Sequence, residues 1–370
     1  MNHRPRILLL IPHLGGGGAE QVAALLARSL SPRKYELHMG LITQVNAGPQ
    51  PLPIWVHTHA LAARRVRNAA FRLLRLIRRL KPEVILSGMA HLNFLVLLLR
   101  PFLPKGTRVL VRQNETASAS LAFEDLPGYT RLLYQLYRRA DQVICPTQAI
   151  ADDLAGAFGI GRNRLTVLAN PIEVEAIRNA VSRSPDLWSG PGPHVLAVGR
   201  LAPVKGFDLL LRALAVVRHQ FPDADLVIAG EGTEEAALKA ECDELKLESA
   251  VHLVGHVERP SMYFPGAALF VLSSRHEGLP NALLEAAAAG LPLVALPASE
   301  GLVNLLEAQP GAWLATEISF PALAASLLAA LESLRPGERF EHPFIEKFRI
   351  ERAIQGYESL IDSVLESGQP

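Results

Sequence analysis

The sequence has few of the features that mark a metalloprotein, a disulfide-stabilised protein or a membrane-spanning protein. Its two cysteines, Cys145 and Cys242, form no spacing motif. This excludes a disulfide framework and a cysteine zinc site, and it favours a reducing compartment. Apolar runs such as residues 94–99 are far shorter than the ~20 residues that a membrane-spanning helix needs. The start, MNHRPRILLLIP, lacks a cleavage site and predicts a first strand rather than a signal peptide.

Several ligand-binding motifs are also absent. The glycines at residues 15–18 are not followed by Gly-Lys-Ser/Thr, and no third glycine completes a dinucleotide fingerprint. Asp223 and Asp225 imitate a metal-binding pair, but they stand at the amino end of a predicted strand, away from the edge where ligands bind. We therefore predict no metal and no other cofactor. Aromatic residues make up only 6% of the chain, which argues against a nucleic-acid partner.

Charge is divided unequally along the chain, although the net charge is only +1. Residues 1–190 contain 24 Lys and Arg against 12 Asp and Glu, whereas residues 191–370 contain 13 against 24. Much of the basic excess lies in a helical pattern from Arg64 to Lys81, whose apolar residues recur at helical spacing. Two interpretations stand about level. The helix either covers a sheet with a solvated outer face, or it rests on an anionic membrane surface.

Strand and helix patterns alternate throughout, which is typical of parallel α/β sheets. We predict strands at residues 7–11, 36–42, 84–86, 108–111, 142–145 and 166–168, and then at residues 195–198, 226–229, 251–253, 269–272 and 293–296. The Ser-, Pro- and Gly-rich segment 182–193 predicts a boundary. The expectation is two Rossmann-like, doubly wound domains facing a central cleft, residues 1–181 and 182–348, with ligands at the strands' carboxyl ends.

The segment RHEGLPNALLEAAAAGLP, residues 275–292, is the most informative in the chain. It predicts a turn after a buried strand and then a helix, with Glu277 in the turn and Glu285 in the helix. A carboxylate accepts two hydrogen bonds from a vicinal diol, so one Glu can hold sugar hydroxyls and the other a ribose. Gly278 lets backbone approach a ligand. The pattern indicates a sugar-nucleotide site, although each Glu alone is typical of an ordinary surface residue.

A second cluster follows the strand at residues 195–198. Gly199 and Arg200 come directly after it, and Lys205 precedes an amphipathic helix. Arg offers a planar fork and Lys a point charge, and together these groups suit a diphosphate. Fixed cations there would stabilise the charge that grows on a departing nucleoside diphosphate.

Together these motifs resemble those of the retaining glycosyltransferases of family 4, which have the GT-B fold. The resemblance extends from the glycine loop at Gly17 and Gly18, through residues 141–147 and 165–171, to the segments already described. It implies catalytic roles for Arg200, Lys205 and Glu277. It implies that donor-binding residues are Gly17, Gly18, Gly199, Arg200, Lys205, Glu231, Glu277, Gly278, Leu279 and Glu285. In that fold, the final helix, here within residues 349–370, packs back on the first domain.

The chain departs from the family pattern at two places. Residues 298–301 replace a glycine pair that other members carry after a strand. The histidine that many members place in the first domain has no clear counterpart, and His91 is the nearest candidate. We assign acceptor contacts to the basic first domain, namely His91 and the loop containing Arg112 and Asn114; such residues are equally typical of structural positions.

The resemblance implies transfer of a hexose or N-acetylhexosamine from a nucleoside diphosphate sugar to an acceptor hydroxyl, with retention of configuration. A UDP-sugar donor and a lipid-linked or oligosaccharide acceptor follow by analogy, as does a cytoplasmic location, peripheral on the inner face of the membrane. Two alternatives remain open, a sugar-nucleotide epimerase of the same fold and a nucleotide-sugar-binding assembly protein without turnover.

Overall fold

The computed structural model describes residues 3–15, 17–43, 51–63, 65–123 and 127–367. Arg64, one end of the predicted basic helix, lies outside these residues. The chain forms two compact units, one made of Met1–Pro171 with Ile350–Pro370 and the other of Ile172–Arg349. The expectation of two parallel-sheet α/β domains is confirmed.

The first unit contains a seven-stranded parallel sheet of order β3-β2-β1-β4-β5-β6-β7. Its strands are β1 Arg6–Ile11, β2 Glu36–Leu41, β3 Val56–Ala60, β4 Val84–Ser87, β5 Arg108–Arg112, β6 Gln142–Cys145 and β7 Leu165–Val167. Its helices are α1 Gly18–Ser29, α2 Ala70–Leu80, α3 Ala90–Leu99, α4 Ala117–Phe123, α5 Thr130–Leu133, α6 Gln148–Phe158 and, from the end of the chain, α13 Ile350–Glu366. Short 3-10 turns at Val66–Ala69, Arg100–Phe102 and Tyr134–Arg139 extend this helical covering.

Two apolar cores lie on opposite faces of this sheet. One contains β1 side chains with Val22 and Leu26 of α1 and Tyr357 and Ile361 of α13. The other contains buried residues of α2, α3 and α6 together with Tyr134 and Tyr137. Burial on both faces explains why the central strands read as continuous apolar runs. The expected return of the final helix to the first unit is observed in α13.

The second unit has a six-stranded parallel sheet of order β10-β9-β8-β11-β12-β13. Its strands are β8 His194–Val198, β9 Asp225–Ala229, β10 Val251–Leu253, β11 Leu269–Leu272, β12 Leu293–Ala295 and β13 Ala312–Leu314. Its helices are α7 Val174–Arg183, α8 Phe207–Val217, α9 Glu235–Glu244, α10 Asn281–Ala288, α11 Glu300–Leu306 and α12 Phe320–Ser333. A 3-10 turn, Pro203–Lys205, precedes α8.

The division between the units differs from the expected boundary at 181/182. It falls after Pro171 because α7 contacts α10 in the second unit and Arg178 Nε donates to the Ala288 carbonyl at 3.2 Å. Two strands were not predicted, β3 and β13, and both are sheet edges. Strand β3 exposes most of its residues and therefore lacks the apolar run of a central strand. No helix within the described residues is long and apolar enough to cross a membrane.

Candidate active site

The predicted donor-binding residues of the second unit meet at one edge of its sheet. Strands β8 and β11 are parallel neighbours, so the loops that follow them emerge side by side. The backbone N–H of Arg275 donates to the Val204 carbonyl at 2.8 Å, and Ser273 Oγ donates to the Lys205 carbonyl at 2.9 Å. The two loops therefore form one surface.

Two close approaches of the backbone require glycine. Gly206 has a φ of +63°, and a Cβ there would collide with the Ser273 carbonyl oxygen. Gly230 has a φ of +156°, and a Cβ there would collide with the carbonyl oxygen of Gly199. These glycines let the loops after β8, β9 and β11 pack against one another at the ligand edge.

Lys205 and Glu277 form an ion pair at the centre of this edge. Lys205 Nζ lies 2.5 Å from Glu277 Oε1, and Ser274 Oγ donates to the same oxygen at 2.6 Å. The Glu277 side chain is only 9% exposed, and its backbone N–H donates to the Ala298 carbonyl at 3.3 Å. Glu277 is thus held at both backbone and side chain, and within the described residues its Oε2 has no hydrogen-bond partner.

Arg200 stands beside this pair with its guanidinium uncommitted. The side chain is exposed, and among the described residues it makes no hydrogen bond or ion pair. The preceding Gly199 donates its backbone N–H to the Ala229 carbonyl at 3.0 Å, which continues the β8–β9 pairing into the loop. A Cβ at Gly199 would lie 3.6 Å from Cδ of Lys205, so the lysine stem passes over this glycine. The arrangement leaves Arg200 available to an anion.

Glu285 is the second uncommitted group. It lies in α10, one turn after Asn281, and within the described part of the chain its carboxylate has no hydrogen-bond partner. Burial raises its pKa to about 7, because no neighbouring donor compensates for the loss of water around the ionised form. Gly278 and Leu279, both half-buried, join it to Glu277. A half-buried carboxylate without a donor suits a ligand hydroxyl.

Glu231 contributes to the edge through its backbone. Its carbonyl accepts the Leu201 N–H at 2.9 Å, while its side chain is exposed. Gly232 is needed beside it, since a Cβ there would collide with the backbone of Leu201. The loop after β9 is thereby fixed next to Arg200, with the Glu231 carboxylate facing solvent.

In the first unit, the glycine loop leads directly into α1. Gly17 is the N-cap residue and Gly18 the first helical residue. Glu20 folds back over the loop, so that a Cβ at Gly17 would clash with its carboxylate. Glu20 is 5% exposed, and its Oε1 lies 3.7 Å from His13 Nε2. No role was predicted for His13 or for Glu20, which belongs to the glycine-loop motif; a histidine and a glutamate flanking a glycine loop after a strand would have been the signal.

His91 lies at the second position of α3, directly after β4, which pairs with β1. Its pKa is lowered, first by burial of the ring and then by the charge of His13. The structure therefore brings His91 and His13 to the same edge of the first sheet.

Arg112 lies beneath the surface of the first unit. It is 3% exposed, its Nε donates to the Tyr357 hydroxyl at 3.1 Å, and its two terminal nitrogens donate to the side-chain oxygens of Asn114 and Asn170. Asn114 in turn donates to the Gly88 carbonyl at 2.7 Å. The guanidinium expected to contact an acceptor is thus engaged within the unit, where it orients Asn114.

Within the described residues, no group of three or more His, Cys, Asp or Glu side chains is arranged to hold a metal ion. Asp225 begins β9, and its carboxylate lies 2.6 Å from His194 Nδ1. This pair joins the starts of two neighbouring strands, opposite to the ligand edge.

Two family profiles match the chain. Residues 16–176 match the one described as Glycosyltransferase Family 4, and residues 192–333 match the one described as Glycosyl transferases group 1. The amylovoran biosynthesis glycosyltransferase AmsD of Erwinia amylovora is 26% identical over 82% of this chain and 84% of its own length. A Campylobacter jejuni enzyme, N-acetylgalactosamine-N,N'-diacetylbacillosaminyl-diphospho-undecaprenol 4-alpha-N-acetylgalactosaminyltransferase, is 28% identical over 80% of this chain and 82% of its own length.

Solved structures show the same fold. Sucrose-phosphate synthase from Thermosynechococcus elongatus superposes with a TM-score of 0.81 at 16% identity, over 98% of this chain and 100% of its own. Anabaena HepE in complex with UDP and glucose superposes with a TM-score of 0.76 at 17% identity, over 97% and 100% of the two chains. With its two parallel-sheet units and its matching profiles, the chain belongs to the family 4 glycosyltransferases of the GT-B fold.

Proposed function

We propose that this glycosyltransferase moves a hexose or N-acetylhexosamine from a UDP-sugar to a hydroxyl of a lipid-linked sugar or polysaccharide precursor, with retention of the anomeric configuration. The observation that carries the proposal is the edge of the second sheet. There, the half-buried Lys205 pairs with the buried Glu277, and the same edge carries two groups without partners in the described chain, Arg200 and Glu285.

Each group suits one part of a nucleoside diphosphate sugar. Lys205 and Arg200 supply the positive charge for the diphosphate, and the free Oε2 of Glu277 accepts hydrogen bonds from the transferred sugar. In this arrangement the backbone of Gly199, Gly278 and Leu279 lies against the donor, between the diphosphate and the sugar.

The nucleoside part of the donor has its own contacts. Glu285 accepts hydrogen bonds from the ribose diol, and the loop at Glu231 lies beside the nucleobase.

The chemistry that this site performs is charge stabilisation. As the bond between sugar and diphosphate breaks, negative charge grows on the leaving oxygen, and fixed cations stabilise that charge more in the transition state than in the ground state. The leaving oxygen takes the acceptor's proton on the same face of the sugar, which retains the configuration. Because Lys205 and Arg200 fill the cationic role, we propose that no metal ion is required.

The choice of donor and acceptor rests on similar proteins. HepE has been solved with UDP and glucose and with UDP-glucose, and the Campylobacter relative is named for transfer to a diphospho-undecaprenol-linked sugar. AmsD is named for amylovoran biosynthesis. For the acceptor, the first unit presents His91 and Asn114, with Arg112 behind Asn114.

The test is incubation of the protein with UDP-, GDP- and ADP-sugars, with and without bacterial lipid extract, and in EDTA. We expect transfer from a UDP-sugar to a lipid-linked acceptor, unchanged by EDTA, with an anomeric signal in NMR that matches the donor. Isomerised free donor would indicate an epimerase, and binding without turnover an assembly protein; either result would overturn the proposal.

We also propose that the first unit contacts anionic lipid through a basic face, defined as Arg75, Arg78, Arg79 and Lys81 with Phe71, Leu98 and Phe102. The four basic side chains are exposed, and Phe71, Leu98 and Phe102 are 77%, 49% and 57% exposed. Phe71, Arg75 and Arg78 follow one stripe of α2, and Arg78 Nε lies 3.4 Å from the Phe102 carbonyl. Cations beside exposed aromatic and aliphatic side chains suit the headgroup region of a bilayer.

Sedimentation with phosphatidylglycerol vesicles tests this face. Arg75→Ala with Arg78→Ala should weaken binding by roughly ten- to thirtyfold, at about 1 kcal/mol for each lost charge. Phe71→Ser should also weaken vesicle binding, and this loss should be the same at low and at high salt. Arg33→Ala with Arg352→Ala, exposed arginines elsewhere in the first unit, is the matched control. Equal binding by both double variants at low salt would refute the membrane contact.

A further inference from the structure

Arg275 connects the two loops that carry Lys205 and Glu277. Its guanidinium forms a two-point pair with the carboxylate of Asp208, Nη1 to Oδ1 at 2.8 Å and Nη2 to Oδ2 at 2.6 Å. The same Nη1 also donates to the Pro203 carbonyl at 2.7 Å. A two-point pair of this kind fixes orientation as well as distance.

The backbone adds further links between the same loops. The Arg275 N–H donates to the Val204 carbonyl, and Ser273 Oγ donates to the Lys205 carbonyl. Gly206 then lies so close to Ser273 that no side chain fits. Residues 203–208 are thereby attached to residues 273–277 on both sides of Lys205.

The pKa shifts of Asp208 and Arg275 agree with a close ion pair. Partial burial acts to raise the pKa of Asp208, but hydrogen bonds and charge from Arg275 outweigh it, so that the pKa is lowered. The hydrogen bond to Asp208 raises the pKa of Arg275. Both side chains are about a third exposed, so the pair contributes little to global stability. Its effect is therefore expected in local geometry.

We propose that Arg275 and Asp208 are positioning residues, which hold Lys205 and Glu277 at bonding distance before the donor binds. This inference rests on the proposed function, since it takes Lys205 and Glu277 as the groups that contact diphosphate and sugar. The pair acts through the loops and makes no contact with the reacting atoms. A displacement of about 1 Å between such groups can reduce turnover by roughly 10²-fold.

Two variants probe the pair, each with a conserved shape or charge. Arg275→Lys keeps the charge but loses the fork, and Asp208→Asn keeps the shape but loses the charge. We expect both to lower kcat about 10- to 100-fold, with donor KM changed less than about threefold and Tm within about 2 °C. Arg212→Lys is the matched control, because Arg212 lies on the same helix, α8, and pairs with Glu241 at 2.6 Å.

Hydrogen exchange supplies a readout that does not depend on turnover. In Arg275→Lys, amides of residues 201–209 and 270–280 should exchange faster than in the wild type, whereas Arg212→Lys should leave them unchanged. Unaltered exchange together with unaltered kcat would overturn the positioning role. So would a rise in donor KM with unchanged kcat and exchange, which would indicate direct contact of Arg275 with the donor. If the wild type transfers no sugar, the proposed function fails, while exchange still decides whether the pair holds the loops.

Discussion

The two units share one architecture and differ in what their sheets present at the carboxyl edge. In the second unit, Arg200 and Glu285 have no partners within the described chain, and Glu277 keeps one oxygen free. In the first unit, Arg112 at the end of β5 uses all three of its donor nitrogens within the unit. Similar strand-end geometry thus leaves charged side chains without partners in one unit and uses an arginine for internal support in the other.

The difference follows from how each loop is supported. The loops after β8 and β11 are fixed largely by backbone hydrogen bonds, glycines and the Arg275–Asp208 pair, which leaves other side chains available. The loop after β5 is fixed by buried side chains instead, including Asn93, whose amide donates to the Arg112 carbonyl at 2.9 Å. Donors and acceptors that satisfy one another in the interior are less available to a ligand.

The largest effect is expected in the second unit, from Glu277→Gln. The change removes the charge that pairs with Lys205 and accepts sugar hydroxyls, so transfer should fall by at least ~10²-fold. UDP affinity should change little, because the nucleotide contacts remain. Initial rates and calorimetric titration with UDP measure the two effects. Turnover equal to that of the wild type would remove Glu277 from the site.

In the first unit, the largest effect should be on stability. Arg112→Met leaves the Tyr357 hydroxyl and the side chains of Asn114 and Asn170 without their donor in a buried region, and should lower the free energy of unfolding by about 3 kcal/mol. Arg108→Met on the same strand is the control, since Arg108 pairs with the partly exposed Asp141 and should cost about 1 kcal/mol or less. Urea unfolding measures both. Equal losses would contradict the supporting role of Arg112.

In the second unit, the polar residues at the carboxyl edge of the sheet could largely be predicted from the sequence. Arg200, Lys205 and Glu277 lie in the segments that follow two apolar strands, and parallel pairing of those strands brings the segments to one edge of the sheet. The partnership of Arg275 with Asp208 could not be predicted, because the two residues are 67 positions apart and neither belongs to a spacing motif. Long-range pairing of side chains depends on the loop geometry that only the fold supplies.

In the first unit, the sequence predicted the sheet but not the use of its polar residues. Arg112 ends a strand whose residues are apolar at three other positions, yet nothing nearby indicates that Tyr357, 245 residues later, supplies an acceptor. The edge strand β3 was missed because alternating histidines and exposed positions resemble a loop. Patterns of apolar residues thus identify central strands, while polar partnerships and edges require the packed structure.

A smaller effect is expected from pH in the second unit. The pKa of Glu285 is raised to about 7, above its usual value of 4.5, so the folded unit favours the neutral form. Its stabilising contribution is full below about pH 4.5 and is lost as pH rises through about 7. Glu285→Gln should therefore raise stability at pH 8 by roughly 2 kcal/mol, because the 1.4 kcal/mol for each pH unit of the shift is reduced by the partial exposure of the side chain to solvent. The UDP affinity of the wild type should increase between pH 6 and 8 as this carboxylate ionises, and the variant should flatten that increase. If the UDP affinity of the variant depends on pH as that of the wild type does, Glu285 does not contact the ribose.

The smallest effect is expected in the first unit, where stability should be lost as pH falls and not as pH rises. His38 on β2 stacks on His57 and His59 of β3 at 5.0 and 5.3 Å, and His38 Nε2 lies 3.0 Å from Glu36. Burial, the largest cause, lowers the pKa of both His38 and His59 from 6.5. For His38, the hydrogen bond and charge of Glu36 oppose this effect and charge from His57 and Arg6 adds to it. For His59, charge from His38, Arg79 and His57 adds to it. As the pH is lowered, the unfolded chain therefore binds protons before the folded chain does, so the free energy of unfolding should fall as pH drops below about 6.5.

A pair of variants tests this effect. His38→Gln should reduce the loss of stability in thermal scans from pH 7.5 to 5.5, whereas His252→Gln, at an exposed histidine of the second unit, should not. Equal slopes in the two variants would show that the histidine cluster does not set the acid sensitivity of the first unit.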